Sequence, residues 1–157
     1  MTSIRKLGAA AIATLIATAA FAGGHSSTPE EAAIKARNAH MSLYGFNLGP
    51  LGAMVKEEAP YDAAVAAALA GNLAALASID TGAYWIEGTD MSVDGSRAKP
   101  EIWSDAEGFA AAEMAMTEAA TALAAVAGND LDALKASFGA VGQACGDCHK
   151  AYRGPRQ

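Results

Sequence analysis

Cysteine, aromatic side chains and positive charge are all scarce in this sequence. Its 157 residues include two Cys, three His and only 6% aromatics. Two cysteines three positions apart exclude a multi-disulfide framework. Eleven Lys and Arg stand against 17 Asp and Glu, a net charge of −6. Phosphate binding needs a basic surface, so nucleic acid is excluded as the main partner. Runs of β-branched residues and polar–apolar alternation are nearly missing, which leaves little to build strands from. What is present is apolar: 52% of residues are hydrophobic, against 18% charged. That balance argues against disorder, and the length fits one domain.

Residues 1–22 (MTSIRKLGAAAIATLIATAAFA) have the layout of a secretory signal peptide. Arg5 and Lys6 give a basic start, Leu7 to Phe21 is apolar, and Ala20-Phe21-Ala22 offers small residues at the cleavage positions. An uncleaved anchor is the alternative, but the run is short for a spanning helix. Cleavage after Ala22 leaves 23–157 as the mature domain and, by removing Arg5 and Lys6, takes the charge from −6 to −8. No later segment reads as long and apolar enough to span a bilayer. The expectation is an exported, soluble protein.

Four helices are predicted in the mature chain. The first opens at Thr28-Pro29-Glu30-Glu31, where Thr28 can cap, Pro29 suits the first helical position and Glu31 completes a capping box. It should run to about Lys56, with a kink near Gly49-Pro50. Pro60 and Asp62 introduce the second, which reaches about Ser78. Ile79 to Lys99 is a long connection with Gly82, Gly88 and Gly95, and such loops are usually functional or support something bulky. Pro100-Glu101-Ile102-Trp103 leads into the third helix, Ser104 to Ala127, and Asp130 caps the fourth, Leu131 to Arg153. The fold expected is all-α, an antiparallel up-and-down four-helix bundle. Its Ala-rich helices supply little core volume, as if room were kept for a large apolar ligand, although the helix propensity of Ala accounts for the composition equally well.

Cys145-Gly146-Asp147-Cys148-His149 is C-x-x-C-H, the attachment signature of a c-type haem. Two thiols at this spacing can form thioethers to both vinyl groups of one porphyrin, and His149 then lies under the iron as proximal ligand. A redox-active disulfide would favour a βαβ context, which is missing. A zinc site would need a fourth ligand, and the other histidines are only His25 and His40. One covalent haem c per chain is the cofactor expected. Such attachment is made in an exported compartment, in agreement with the leader, so the location expected is periplasmic.

With the motif near the C-terminus of an all-helical chain, the sequence resembles the cytochrome c′ family, the class II c-type cytochromes. The likeness spans the mature chain and includes A-P-Y-D-A-A (Ala59 to Ala64), P-E-I-W (Pro100 to Trp103) and C-x-x-C-H-x-x-Y-R (Cys145 to Arg153). It implies a bundle enclosing the haem, often dimeric through its first two helices. The family divides in two. One kind keeps a five-coordinate, high-spin iron and binds NO and CO; the c-556/c-554 kind is low-spin, ligated by a Met of the first helix, and carries electrons. The resemblance matches Arg37 to the family's haem-propionate arginine and Met41 to the position facing iron. Helical geometry agrees, since residues four apart share a face. His40, turned by about 100° from Met41, would look toward a neighbouring helix or solvent. Thioether ligation suits an electron carrier. Low-spin His/Met electron transfer with redox partner proteins is therefore expected, with the five-coordinate gas binder as the alternative and no enzymatic turnover.

Arg153, four residues after His149, can cover the proximal imidazole, or can be a solvated last-turn arginine complementing the helix dipole. Tyr152 and Trp103 suit packing. Lys150, Arg153 and Arg156 form a basic cluster able to steer an acidic partner. With cleavage after Ala22, Gly23-Gly24-His25 would begin the mature chain with a potential square-planar Cu(II) site.

Overall fold

The computed structural model describes residues 27–155. The leader expected at 1–22, His25 and Arg156 lie outside the described residues. The helices are α1 (Pro29–Val55), α2 (Ala63–Ala77), the one-turn α3 (Glu101–Ser104), α4 (Ala106–Val126) and α5 (Leu131–Tyr152), with a 3-10 turn at Gly82–Tyr84. Helices α1, α2, α4 and α5 form the expected antiparallel four-helix bundle, and no strand occurs among the described residues.

Each long helix starts on a short oxygen-bearing side chain that accepts an otherwise unpaired N–H. Thr28 Oγ1 accepts from Glu31 N at 3.2 Å, Asp62 Oδ1 from Val65 N at 3.0 Å, and Asp130 Oδ1 from Ala133 N at 2.7 Å. Pro50 sits inside α1 without ending it. α1 closes with Glu58 N donating to Ala53 O and Glu57 N to Met54 O, a Schellman pairing that holds Glu57 at φ 61°.

The third helix differs from expectation. Its lead-in is itself helical, and the chain breaks at Asp105 (φ −127°, ψ 57°), whose Oδ1 accepts from Gly108 N at 3.2 Å and starts α4. Asp105 gains more as a cap than as a mid-helix residue, because its carboxylate competes for nearby backbone donors. By length and composition α4 is long and apolar enough to cross a membrane, which corrects the expectation that no later segment would be. Within the bundle Ala120 and Leu123 of α4 are fully buried.

One core cluster joins Leu51, Leu73, Leu123, Leu134 and Val141 with Ala66, Ala70, Ala120 and Ala127. The alanines permit close helix approach: a Cβ on Gly128 would lie 2.9 Å from Ala67 Cβ. A second cluster, Ala98, Ile102, Phe109 and Tyr152, sits under the end of α5. At one end of the bundle α1 meets α5 through Glu57–Lys135 at 2.5 Å and through Gly52, whose Cβ position is 3.6 Å from Phe138 Cζ.

Candidate haem site

All three residues of the attachment signature lie in the last two turns of α5. Cys145 and Cys148 are free, half-buried thiols. Three residues apart on a helix, they share a face. Cys145 Sγ lies 3.8 Å from Met116 Sδ of α4, and Cys148 packs beside the second core cluster. Burial pushes both thiols above their ordinary pKa, with the charge of Arg153 opposing. His149 is half-buried, and burial, then Arg153 and Arg97, draw its pKa down. The neutral imidazole, the form able to bind a metal, is thereby favoured.

Met41 lies on α1, 47% exposed, while Arg37 and His40 are buried. Its height follows from the Gly52–Phe138 contact between antiparallel helices. Met41 precedes Gly52 by eleven residues and His149 follows Phe138 by eleven. Eleven residues advance a helix about 16 Å and just over three whole turns. By this count Met41 and His149 come to about the same height, on the helix faces that carry Gly52 and Phe138. By the same count Arg37 is level with Arg153.

Arg37 is 4% exposed. Its Nη1 donates to Tyr84 O at 3.1 Å and Thr89 Oγ1 at 2.8 Å; Nη2 donates to Thr89 O and to Ser96 Oγ at 2.7 Å. Its Cζ stands 5.2 Å from the Trp85 ring centroid. Burial lowers the guanidinium pKa, yet arginine stays charged at any physiological pH. The terminal nitrogens thus hold the connection over Tyr84–Ser96, leaving Nε as the donor not engaged there.

The far end of that connection grips α5. Ala98 bridges Arg153, Lys99 N donates to Tyr152 O at 2.9 Å, and Lys99 Nζ donates to Lys150 O at 2.9 Å and Ala151 O at 3.1 Å. Arg97 donates to Gly154 O at 2.7 Å. Orphan carbonyls at a helix C-terminus favour such cations. The Arg153 side chain is exposed and reaches His149 as charge; Lys150 is exposed beside it. Trp103 and Tyr152 pack as expected, Trp103 Nε1 donating to Trp85 O at 2.9 Å and the Tyr152 ring standing edge-on to Phe109 at 5.2 Å.

Several residues escaped the sequence analysis. Thr89 and Ser96 are buried partners of Arg37, and nothing in a loop without periodicity marks them. Tyr152 Oη donates to Asp105 Oδ2 at 2.8 Å, fastening α5 to the start of α4. Asp105 as a cap could have been found from Ser104-Asp105 preceding an apolar run. Tyr44, on the inner face of α1, has its pKa pushed up to about 12 by burial, with Cys145 and Glu113 adding to it. The donor set suits a covalently held haem: two thiols on one helical face, a neutral imidazole after them, and a thioether level with it on the opposing helix.

A family model described as Cytochrome C′ matches residues 32–153. The chain is 42% identical over 124 residues to cytochrome c-554 of Cereibacter sphaeroides, covering 78% of this chain and 81% of that protein. To cytochrome c′ of the same organism it is 41% identical over 143 residues, covering 90% and 95%. A solved cytochrome c′ from Rhodobacter "Spheriodes" superposes with a TM-score of 0.79 at 42% identity, covering 81% of this chain and 98% of that one.

Proposed function

Since the chain belongs to the cytochrome c′ family and so carries one covalent haem c, we propose that it is an electron carrier with a low-spin, His/Met-ligated iron. What supports the proposal is that, counted along the helices from the Gly52–Phe138 contact, the Met41 thioether comes to about the height of His149. Relatives named c-554 and c′ are about equally similar, so overall likeness does not choose between the two kinds.

The haem, when bound, supplies a one-electron couple. The chain's own residues do the rest. Cys145 and Cys148 would hold the haem covalently through thioethers. His149 enters neutral, held so by burial and by the charges of Arg153 and Arg97. Met41 would supply a thioether as the second ligand to iron, and thioether ligation would favour the reduced state. Arg37 would offer a fixed positive charge to a propionate, with Nε the donor that its bonds to Tyr84, Thr89 and Ser96 leave over. Arg153 adds a second, exposed charge beside His149. With both ligands retained in both oxidation states, the iron would offer no open position to a substrate.

Export to the periplasm is proposed from the leader pattern and the haem chemistry it serves. A homodimer through α1 and α2 is supported by Leu43, Phe46 and Val65, exposed on those helices by 50%, 73% and 43%. Redox partners would be proteins that approach the basic end of α5.

Optical spectra test the ligand assignment. The purified haem protein should show low-spin bands in both oxidation states and no prompt CO response when reduced. Met41→Leu should turn this into a broad high-spin Soret with rapid CO binding. A wild-type protein that is already high-spin and binds CO promptly would be the five-coordinate gas binder instead.

A further inference from the structure

Phe109, Glu113 and Met116 recur at the four- and three-residue steps that put side chains on one helix face, here the face of α4 turned to α5. Two contacts fix the register. Met116 Sδ lies 3.8 Å from Cys145 Sγ, and the Phe109 ring stands 5.2 Å from that of Tyr152. Phe109 and Met116 are seven residues apart on α4, as Cys145 and Tyr152 are on the antiparallel α5. Glu113, three residues before Met116, is therefore level with Cys148, three residues after Cys145. Electrostatics agrees. Burial, then the charge of Glu113, raises the Cys148 thiol, and Glu113 acts on Tyr44 of α1 as well.

Neutral groups hold this carboxylate in place. Thr81 Oγ1 donates to Glu113 Oε1 at 2.6 Å, and Trp85 Nε1 donates in turn to Thr81 Oγ1 at 3.2 Å. Trp85 is itself packed, with Cys148, against the second core cluster. Lys135–Glu57 is the sole ion pair among the described residues, so no contact cation neutralises Glu113. Around it α1 presents Tyr44, α2 has no titratable side chain, and α5 presents Cys145 and Cys148, on which Arg153 acts with the opposite sign. A glutamine would offer Thr81 the same acceptor without a charge. Fastening the 79–99 connection does not by itself call for a carboxylate.

We propose that Glu113 sets the haem potential: its negative charge, level with the Cys148 attachment point, disfavours the added electron and stabilises the ferric state. Reduction adds one unit of negative charge to the haem, which a nearby carboxylate opposes by Coulomb repulsion. Half-buried between helices, that charge is less screened by salt than one on the surface. This deepens the carrier reading given above and rests on the covalent haem, not on Met41 being a ligand.

Spectroelectrochemical titration of the purified haem protein reads the midpoint potential. Glu113→Gln keeps the shape and the acceptor for Thr81 but loses the charge. Its ferrous-to-ferric ratio at a fixed applied potential should rise roughly tenfold, a midpoint shift of about 59 mV for one electron. Glu113→Asp keeps the charge but falls short of Thr81, and its midpoint should stay nearer the wild type. Were Glu113 only a fastening for the loop, the order would reverse, with Gln silent and Asp shifted. A Gln midpoint that does not rise, or an Asp shift as large, overturns the proposal. Should Glu113→Gln fail to mature with haem, NMR of the diamagnetic reduced wild type decides, taken as the CO complex if the sixth position is open. Through-space contacts between the Glu113 γ-methylene and the Cys148 thioether protons support the placement; their absence refutes it. A high-spin optical spectrum would refute Met41 ligation alone, since the midpoint is readable in either spin state.

Discussion

Gly108→Ala puts the latch between α4 and α5 to a quantitative test. In a helix interior Ala is favoured over Gly by up to about 1 kcal/mol, so propensity predicts stabilisation. The structure predicts the reverse. A Cβ at Gly108 would fall 2.5 Å from Tyr152 Oη and 2.8 Å from Asp105 Cγ, and it would also strike Asp105 Oδ2. Nothing there is the loose end of a long side chain. Asp105 is held by the N–H of Gly108 and by the hydroxyl of Tyr152, whose ring is buried beside Phe109.

Making room means displacing the Asp105 carboxylate. That forfeits a helix cap worth about 1 kcal/mol and adds overpacking of about 1–3 kcal/mol. Against the propensity gain, the net loss is about 2 kcal/mol. For a domain of this size that lowers the melting temperature by roughly 7 °C. Gly139→Ala is the control. It lies in the exposed interior of α5 with nothing within 4 Å of its Cβ position, and it should gain up to about 1 kcal/mol. Thermal and urea denaturation of the two haem-loaded variants give both numbers. A Gly108→Ala protein as stable as wild type would show that the Asp105–Tyr152 latch does not constrain α4, and the argument would fail.

Two further outcomes follow from charge and backbone. Tyr44 titrates at about 12 when folded, against about 10 when unfolded, with burial the main cause. A raised folded pKa leaves its contribution intact below pH 10 and removes it as pH rises toward 12, so melting temperature should fall across that window. Tyr44→Phe should flatten the fall, and an unchanged alkaline slope would count against the buried phenol. Glu57→Gly should raise the denaturation midpoint modestly, because Glu57 holds φ 61°, where a side chain is strained and Gly is not. Its ion pair with Lys135 is surface-exposed and salt-screened, so the advantage of the variant should grow between low and high salt. A loss of stability at both ionic strengths would contradict this.

Which features were visible in the amino-acid sequence depends on how local their physics is. Thr28, Asp62 and Asp130 act on N–H groups three residues away, so the starts of α1, α2 and α5 could be read directly. The haem signature is equally local: Cys145, Cys148 and His149 carry their geometry in their spacing. The four-residue step from Arg37 to Met41 gave direction but not surroundings. It indicated that His40 diverges from Met41, yet could not say that Tyr44 and Tyr84 would enclose it. Asp105 as a cap acts on Gly108 N, three residues away, and was legible; its tie to Tyr152, 47 residues later, was not. The destination of the Arg37 guanidinium lay further out of reach. Thr89 and Ser96 sit in a segment with no hydrophobic period, and their hydroxyls become specific only once the loop has closed.

The same loop explains why the two candidate axial ligands are best considered as one unit. Nothing in α1 alone fixes how far Met41 stands from α5, because α1 carries no direct bond to the last turn of α5. Two distant tethers set it instead. At one end Gly52 lies against Phe138, whose Cζ stands at ordinary contact distance, 3.6 Å, from the Cβ position. At the other the 79–99 connection holds Arg37 of α1 through Thr89 and Ser96, and holds the end of α5 through Arg97, Ala98 and Lys99. Met41 and His149 lie between the tethers, each on a helix stiffened by its own backbone bonds. Changes at Thr89, Ser96 or Lys99 should therefore alter the separation of sulfur and imidazole without touching either ligand. A low-spin carrier needs that separation held narrow, whereas an open-site gas binder of the same fold needs only a slightly wider span.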